Sequence, residues 1–257
     1  HVMARRQRQM CIRDRGNSAG LAITSGNSNV IVGSNAGDAL TTATNNVAIG
    51  YSALSGEVAG PDNIAIGYFA MGNTDNARAN VAVGYAALQN LDYGSLTYSH
   101  NIGIGFNAGN DITTGVYNTI IGGNAGDALT TGAGNVAVGY NALTTEDANG
   151  TATAIGYRSL ATLNAGTESY NVAVGYDAGL SITTGVQNTL VGSVAGDALT
   201  TGAYNVALGT SALSTEDTGS RNVAIGWSAL EDQNHDGDAY NTAVGYAAGK
   251  ELSLIHI

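Results

Sequence analysis

The sequence predicts an all-β fold, a parallel β-solenoid or β-roll of about thirteen 17-residue coils, on three observations. A short phrase beginning with Asn recurs along nearly the whole chain. Within each copy, large and small side chains alternate with the period of a strand. Finally, two Phe and one Trp among 257 residues are too few to fill a conventional globular core.

The phrase is Asn, then Val, Ile or Thr, then a small residue, an aliphatic and Gly. It starts at Asn29, Asn46, Asn63, Asn80, Asn101, Asn118 and Asn135, recurs without its Asn at Ala152, and continues at Asn171, Asn188, Asn205, Asn222 and Asn241. Of the twelve intervals, nine are 17 residues, two are 19 and one is 21. A partial copy, Ser18 to Ser28, precedes the first. A longer period of 70 residues maps Asn101–Asn171 onto Asn171–Asn241, as duplication of a four-coil block would produce.

Positions are counted here from that first residue. Positions 1 and 3 are aliphatic or β-branched, as Val47 and Ile49 are, whereas position 2 is Ala or Gly in ten of thirteen copies. The β-branched run favours a strand, and a unit this short leaves no room for a helix pair. The large face is expected to fill the coil. The bare Ala/Gly face is then expected outside, against two further copies of the chain near a common axis, because a strand apolar on both faces is buried on both.

Position 7 is Ala in twelve copies, and position 8 is either a large aliphatic (Leu54, Met71, Leu88, Leu143) or Gly (Gly37, Gly109, Gly126, Gly179, Gly196). Each of those five glycines is followed three residues later by an aliphatic: Leu40, Ile112, Leu129, Ile182 or Leu199. At least one large plug per coil, delivered from one of two positions, is what a shared narrow core requires. Thr-Thr-Gly segments such as 130–132 turn the chain back. The Asn residues then stack as an amide ladder. Thirteen coils at about 4.8 Å would extend roughly 60 Å.

Both ends depart from this pattern. Arg5–Asp14 corresponds codon for codon to a sequencing-library adapter, and Leu252–Ile257 to the reverse complement of the same transposon end. Residues 1–15 and 252–257 are therefore set aside as adapter-derived, leaving 16–251 as one repeat domain, read as a fragment. That segment holds four basic and nineteen acidic residues, a formal charge of −15, and no Cys. Such a balance argues against nucleic acid as a partner. No 18-residue apolar stretch offers a membrane span, so no membrane contact by this segment is expected.

The copies 46–51 (Asn-Val-Ala-Ile-Gly-Tyr), 80–85 and 135–140 (Asn-Val-Ala-Val-Gly-Tyr) and 222–227 (Asn-Val-Ala-Ile-Gly-Trp) resemble the head repeats of YadA-like trimeric autotransporter adhesins. They resemble equally the repeat shafts of phage tail fibres that end in an S74-peptidase chaperone domain. The likeness covers 16–251. It implies a left-handed, homotrimeric β-roll, extracellular on a bacterial cell surface or a virion tail fibre, used for attachment to a host-cell surface glycan or protein. The longer 17-residue unit and the Thr-Thr-Gly turns depart from the adhesin heads and favour the fibre-like relatives.

Position 5 carries an aromatic in nine copies: Tyr51, Tyr68, Tyr85, Phe106, Tyr140, Tyr157, Tyr176, Trp227 and Tyr246. A structural ring ladder is the first reading; a glycan stack along the same rings is the alternative. The ladder is favoured because Ser34, Gly123 and Ser193 occur in copies with Ile31, Ile120 and Leu190, as though bulk lost at one position returned at another. Asp232, Asn234, Asp236 and Asp238 begin like a calcium loop, yet Ala243 stands where the bidentate Glu belongs. A solvated acidic loop is the first reading and bound calcium the alternative; no other cofactor is expected. Glu146-Asp147 and Glu216-Asp217 read as solvated loop charges. Adjacent Thr residues point apart, which disfavours a flat ice-binding face. With His100 and His235 the only histidines of 16–251 and no nucleophile–base pair, catalysis is not expected. The alternative to a trimeric fibre is a monomeric glycan- or ice-binding solenoid.

Overall fold

A computed structural model describes residues 13–148 and 150–251, so most of the adapter-derived stretches, 1–12 and 252–257, lie outside the described residues. The chain forms two compact units, His1–Thr131 and Gly132–Ile257. Both are parallel β-solenoids without helix among the described residues.

The first unit contains β1 (Arg13–Arg15), β2 (Val30–Val32), β3 (Val47–Ile49), β4 (Ile64–Ile66), β5 (Asp75–Arg78), β6 (Val81–Val83), β7 (Asp92–Tyr98), β8 (Ile102–Ile104) and β9 (Thr119–Ile121). Its main sheet runs β1-β2-β3-β4-β6-β8-β9, every neighbour parallel and in register. β5 and β7 pair separately, with a register shift between Asp75 and Ala77, opposite which β7 of the 21-residue coil holds its extra residues. The second unit contains β10 (Val136–Val138), β11 (Thr153–Ile155), β12 (Val172–Val174), β13 (Thr189–Val191), β14 (Val206–Leu208), β15 (Val223–Ile225) and β16 (Thr242–Val244), parallel in sequence order. Six repeat strands in the first unit and seven in the second make about thirteen coils. β1 is the exception, because Arg13–Arg15 falls among the residues set aside as adapter-derived yet pairs with β2.

Each coil has one three-residue strand, and the rest is a chain of turns with a repeated backbone rhythm. Position 6 has φ of 49–56° and position 8 has φ of 48–60° in every copy, although most of these residues are not Gly. Left-handed φ costs an L-residue about 1–2 kcal/mol. Bonds to the flanking coils offset it: Phe69 N donates to Tyr51 O (3.0 Å) and Met71 N to Ala87 O (3.0 Å). Position 4 has φ of 131–147°, and there Gly is obligatory. A Cβ on Gly50 would run into the carbonyl of Gly67 in the next coil.

The strand faces are the reverse of the expectation. The middle residue, position 2, is buried in all thirteen repeat strands, and positions 1 and 3 never are. Ala48, Ala65, Ala82, Ala137 and Ala224 therefore line the interior opposite the position-7 alanines, and the Val/Ile face looks outward. The coil is too thin for large side chains from both walls. Two rows of small residues and one or two large side chains fill each coil; Leu88 and Leu91 are both fully buried in one coil, and Leu160 and Leu163 in another. The position-8 and position-11 exchange is confirmed, since a Cβ on Gly109 would lie 2.9 Å from Ile112 Cδ1 and one on Gly196 2.8 Å from Leu199 Cδ1. Bulk at position 2 belongs to the same interior: a Cβ on Gly196 would lie 2.9 Å from Leu190, and one on Gly126 3.1 Å from Ile120. Ile31, Ile120 and Leu190 thus complement glycines inside the coil, not missing aromatics outside it.

The Asn residues from Asn29 to Asn222 are fully buried, and Asn241 in the last coil is half-buried. Each binds two coils at once: Asn63 N donates to Asn46 Oδ1 (2.8 Å) and Asn80 N to Asn63 Oδ1 (3.0 Å), while Asn63 Nδ2 donates to Ala77 O (2.7 Å). Asn188 and Asn205 repeat the pattern. The ladder is mainly side chain to backbone, with amide-to-amide bonds between Asn80 and Asn63 and between Asn188 and Asn171.

Candidate functional site

Position 5 follows the obligatory Gly, which turns the chain out of the strand and projects the side chain outward beside the Val/Ile face. In the first unit Tyr51, Tyr68, Tyr85 and Phe106 form one stack, with centroids 5.1–5.2 Å apart and planes within 15°. Phe69 leans against Tyr51 and Tyr68. In the second unit Tyr140, Tyr157 and Tyr176 stack at 5.7 and 5.2 Å, and Trp227 stacks on Tyr246 at 4.8 Å. These rings remain about half exposed, from 42% at Tyr157 to 54% at Phe106, with Tyr246 more open. Within a run, each ring covers the face of the next, so edges and hydroxyls meet solvent. A sugar stacks on a ring face, and only the ring at the end of a run offers one.

A second exposed column escaped the sequence reading. Position −1 has left-handed φ in every copy, which turns its side chain outward. His100 stacks between Tyr98 (5.7 Å) and Tyr117 (5.8 Å), with the Arg78 guanidinium 3.8 Å over Tyr98. In the second unit Arg221 lies between Tyr204 and Tyr240, 5.0 and 5.6 Å from their centroids, and pairs with Asp238. The signal was available in the spacing, as Tyr117, Tyr170, Tyr204 and Tyr240 all immediately precede the recurring Asn.

The acidic loop is held residue by residue. Asp236 accepts from Thr218 Oγ1 (3.0 Å), and Asp238 accepts from Arg221 and from Tyr240 Oη. Asp232 bonds through its backbone N–H to Lys250 O (2.9 Å), and Asn234 is exposed. Among the described residues, no three His, Cys, Asp or Glu side chains converge as metal ligands would.

Glu146 and Glu216 are corrections: both are buried, as is Glu57. All three stand at position 11, where most other coils place Leu or Ile, and occur where position 8 already supplies Leu. Glu57 Oε1 accepts from Gly60 N (2.6 Å), Ala59 N (3.1 Å) and Asn76 N (3.2 Å), and Oε2 from Ala77 N (3.0 Å). Glu216 accepts from Gly219 N (2.7 Å) and from Gln233 Nε2 (2.8 Å) of the next coil. These carboxylates tie turn amides of two coils together. Burial pushes the Glu57 carboxyl above its ordinary value, against the lowering pull of the amides of Gly60, Ala77 and Ala59.

The Thr-Thr segments behave as expected of adjacent residues. Thr113 and Thr183 turn their hydroxyls to the next coil's carbonyls (3.2 Å each), and Thr114 and Thr184 are exposed. Among the described residues, no helix is long and apolar enough to cross a membrane. No family model matches the chain, and no curated protein or solved structure matches it.

Proposed function

We propose that residues 16–251 are a non-catalytic segment of a homotrimeric, extracellular fibre, of the phage tail-fibre or bacterial-adhesin kind, that serves attachment to a host cell or other surface. The observation that carries this reading is the outward Val/Ile face. In every coil of both units, positions 1 and 3 put two β-branched or aliphatic side chains toward solvent, among them Ile64, Ile104, Ile155, Leu208 and Ile225 at 36–38% exposure. The position-5 rings border that face. An apolar strip repeated at each coil is the kind of surface that marks a contact, and other copies of the same chain are its natural cover. The contact surface is thus the aliphatic face and not the Ala/Gly face. Left-handed winding and three-fold assembly follow from the resemblance to YadA-like heads and fibre shafts. The charge of the segment supports partners other than nucleic acid.

Light scattering across a range of protein concentrations tests this. A stable trimer is the expected result. A well-folded monomer would overturn it and promote the solenoid that binds glycan or ice alone. The ice reading has less support, because the first Thr of each pair spends its hydroxyl on the neighbouring coil.

A further inference from the structure

The ring column of the second unit is interrupted once, and the interruption has the form of a site. Tyr176 and Trp227 occupy position 5 in coils three steps apart, with Ser193 and Thr210 at the same position between them. Val194 N donates to Tyr176 O (2.8 Å), Ser211 N to Ser193 O (3.0 Å) and Ser228 N to Thr210 O (2.9 Å), which keeps the four residues in one column on successive coils. Three spacings of about 4.8 Å leave roughly 14 Å between the two ring planes.

Each wall has its other face occupied. Tyr157 stacks on Tyr176 and Tyr246 on Trp227, both within 13° of parallel, so the remaining faces of Tyr176 and Trp227 look into the gap. Both rings are accessible, at 53% and 45% exposure. The floor carries the two hydroxyl side chains of Ser193 and Thr210. Inside a ring run, the faces are covered by the next ring. Here two faces and two hydroxyls converge.

We propose that this notch binds one or two neutral pyranose units of a surface glycan, a proposal that rests on the attachment reading above and narrows it to a ligand class. The negative face of an aromatic ring attracts the positively polarised C–H face of a sugar, and a site with apolar walls and a few fixed polar groups suits a ligand of mixed character. The segment's charge of −15, from four basic against nineteen acidic residues, disfavours sialylated or sulfated chains and favours uncharged hexoses. A gap three coil spacings wide accommodates a sugar against each wall.

Trp227 is the only Trp of the chain, so its emission reports on one wall of the notch. Cellotetraose, maltotetraose and chitotetraose are titrated separately to about 10 mM, above the millimolar range of weak single-site binding. A saturable change in Trp227 emission with at least one of them is expected. The variant Ser193→Tyr/Thr210→Tyr fills the notch with the residue that other copies carry at position 5. It should keep the fold, checked by circular dichroism, and lose at least tenfold in affinity. A silent titration with all three sugars, or an equal response in the filled variant, overturns the proposal. The solution mass separates the two failures: a trimer with a silent titration removes the notch alone, and a monomer with a saturable response removes the fibre alone.

Discussion

Asn63 is buried with no charge to neutralise, and its value lies in having a donor and an acceptor on one planar group. Its Oδ1 receives the Asn80 amide and its Nδ2 serves Ala77 O. Asn63→Ala leaves both unpaired in the interior and is expected to cost about 2 kcal/mol, read from urea denaturation. The converse is Ala152, whose own N–H donates to Asn135 Oδ1 (3.0 Å) but which offers no side-chain oxygen to the next coil. Ala152→Asn should stabilise by about 1 kcal/mol; unchanged stability would show that the next amide is already satisfied. Glu57 carries a pH signature. Because burial raises its carboxyl pKa in the folded chain, the folded state holds the proton more tightly than the unfolded one. Its contribution is therefore most favourable below the ordinary Glu range and declines as pH rises through the raised value. Melting temperatures of wild type and Glu57→Gln should diverge above about pH 4, the variant gaining with rising pH; parallel curves would refute this. That Glu146 and Glu216 are interior was not legible in the sequence, since Glu beside Asp after a Thr has the composition of a solvated loop, and Glu57 between Gly56 and Val58 gave no stronger sign. The clue was positional, because each sits where sister coils place Leu or Ile.

The coil as an element was legible, and for a physical reason. Repetition displays which positions co-vary, so the Gly-to-aliphatic exchange between positions 8 and 11 could be seen without coordinates. A direct test is Ile112→Ala, which should cost 2–5 kcal/mol through the cavity it opens. Gly109→Leu in the same chain should recover part of that loss, because Leu143 and Leu213 already hold position 8 at φ of 54° and 56°. Additive or worsening effects in the double variant would refute the exchange. The direction of the strand faces was not legible. Alternation states that two faces differ and leaves open which one points inward; thickness decides that, and thickness depends on how close the returning turns approach. Those turns run on left-handed residues such as Phe69 and Leu88, whose identities give no hint of their φ. The ring column was legible as a structural stack. The copies that lack a ring, Gly123, Ser193 and Thr210 among them, could be read from the spacing, whereas the covered ring faces appear only once the coils are placed in register.

For the whole molecule, the outward Val/Ile strip is the feature that assembly must answer. Ile64→Glu with Ile104→Glu in the first unit, or Ile155→Glu with Ile225→Glu in the second, puts charge on that strip without touching the buried core. The expected outcome is dissociation toward monomer in light scattering with the far-ultraviolet spectrum retained; a trimer that tolerates either pair would place the contact elsewhere. The same geometry of coil on coil bears on mechanics. Within either unit, backbone bonds such as Val47 N to Asn63 O and Gly67 N to Ile49 O link each coil to its neighbours across the strands, so tension on a chain end loads one coil at a time by peeling. A coil that gives way exchanges a step of about 4.8 Å for the reach of some 17 extended residues, a gain of about 50 Å. A tether built this way lengthens in discrete steps under a tug and dissipates the jolt before its grip is lost.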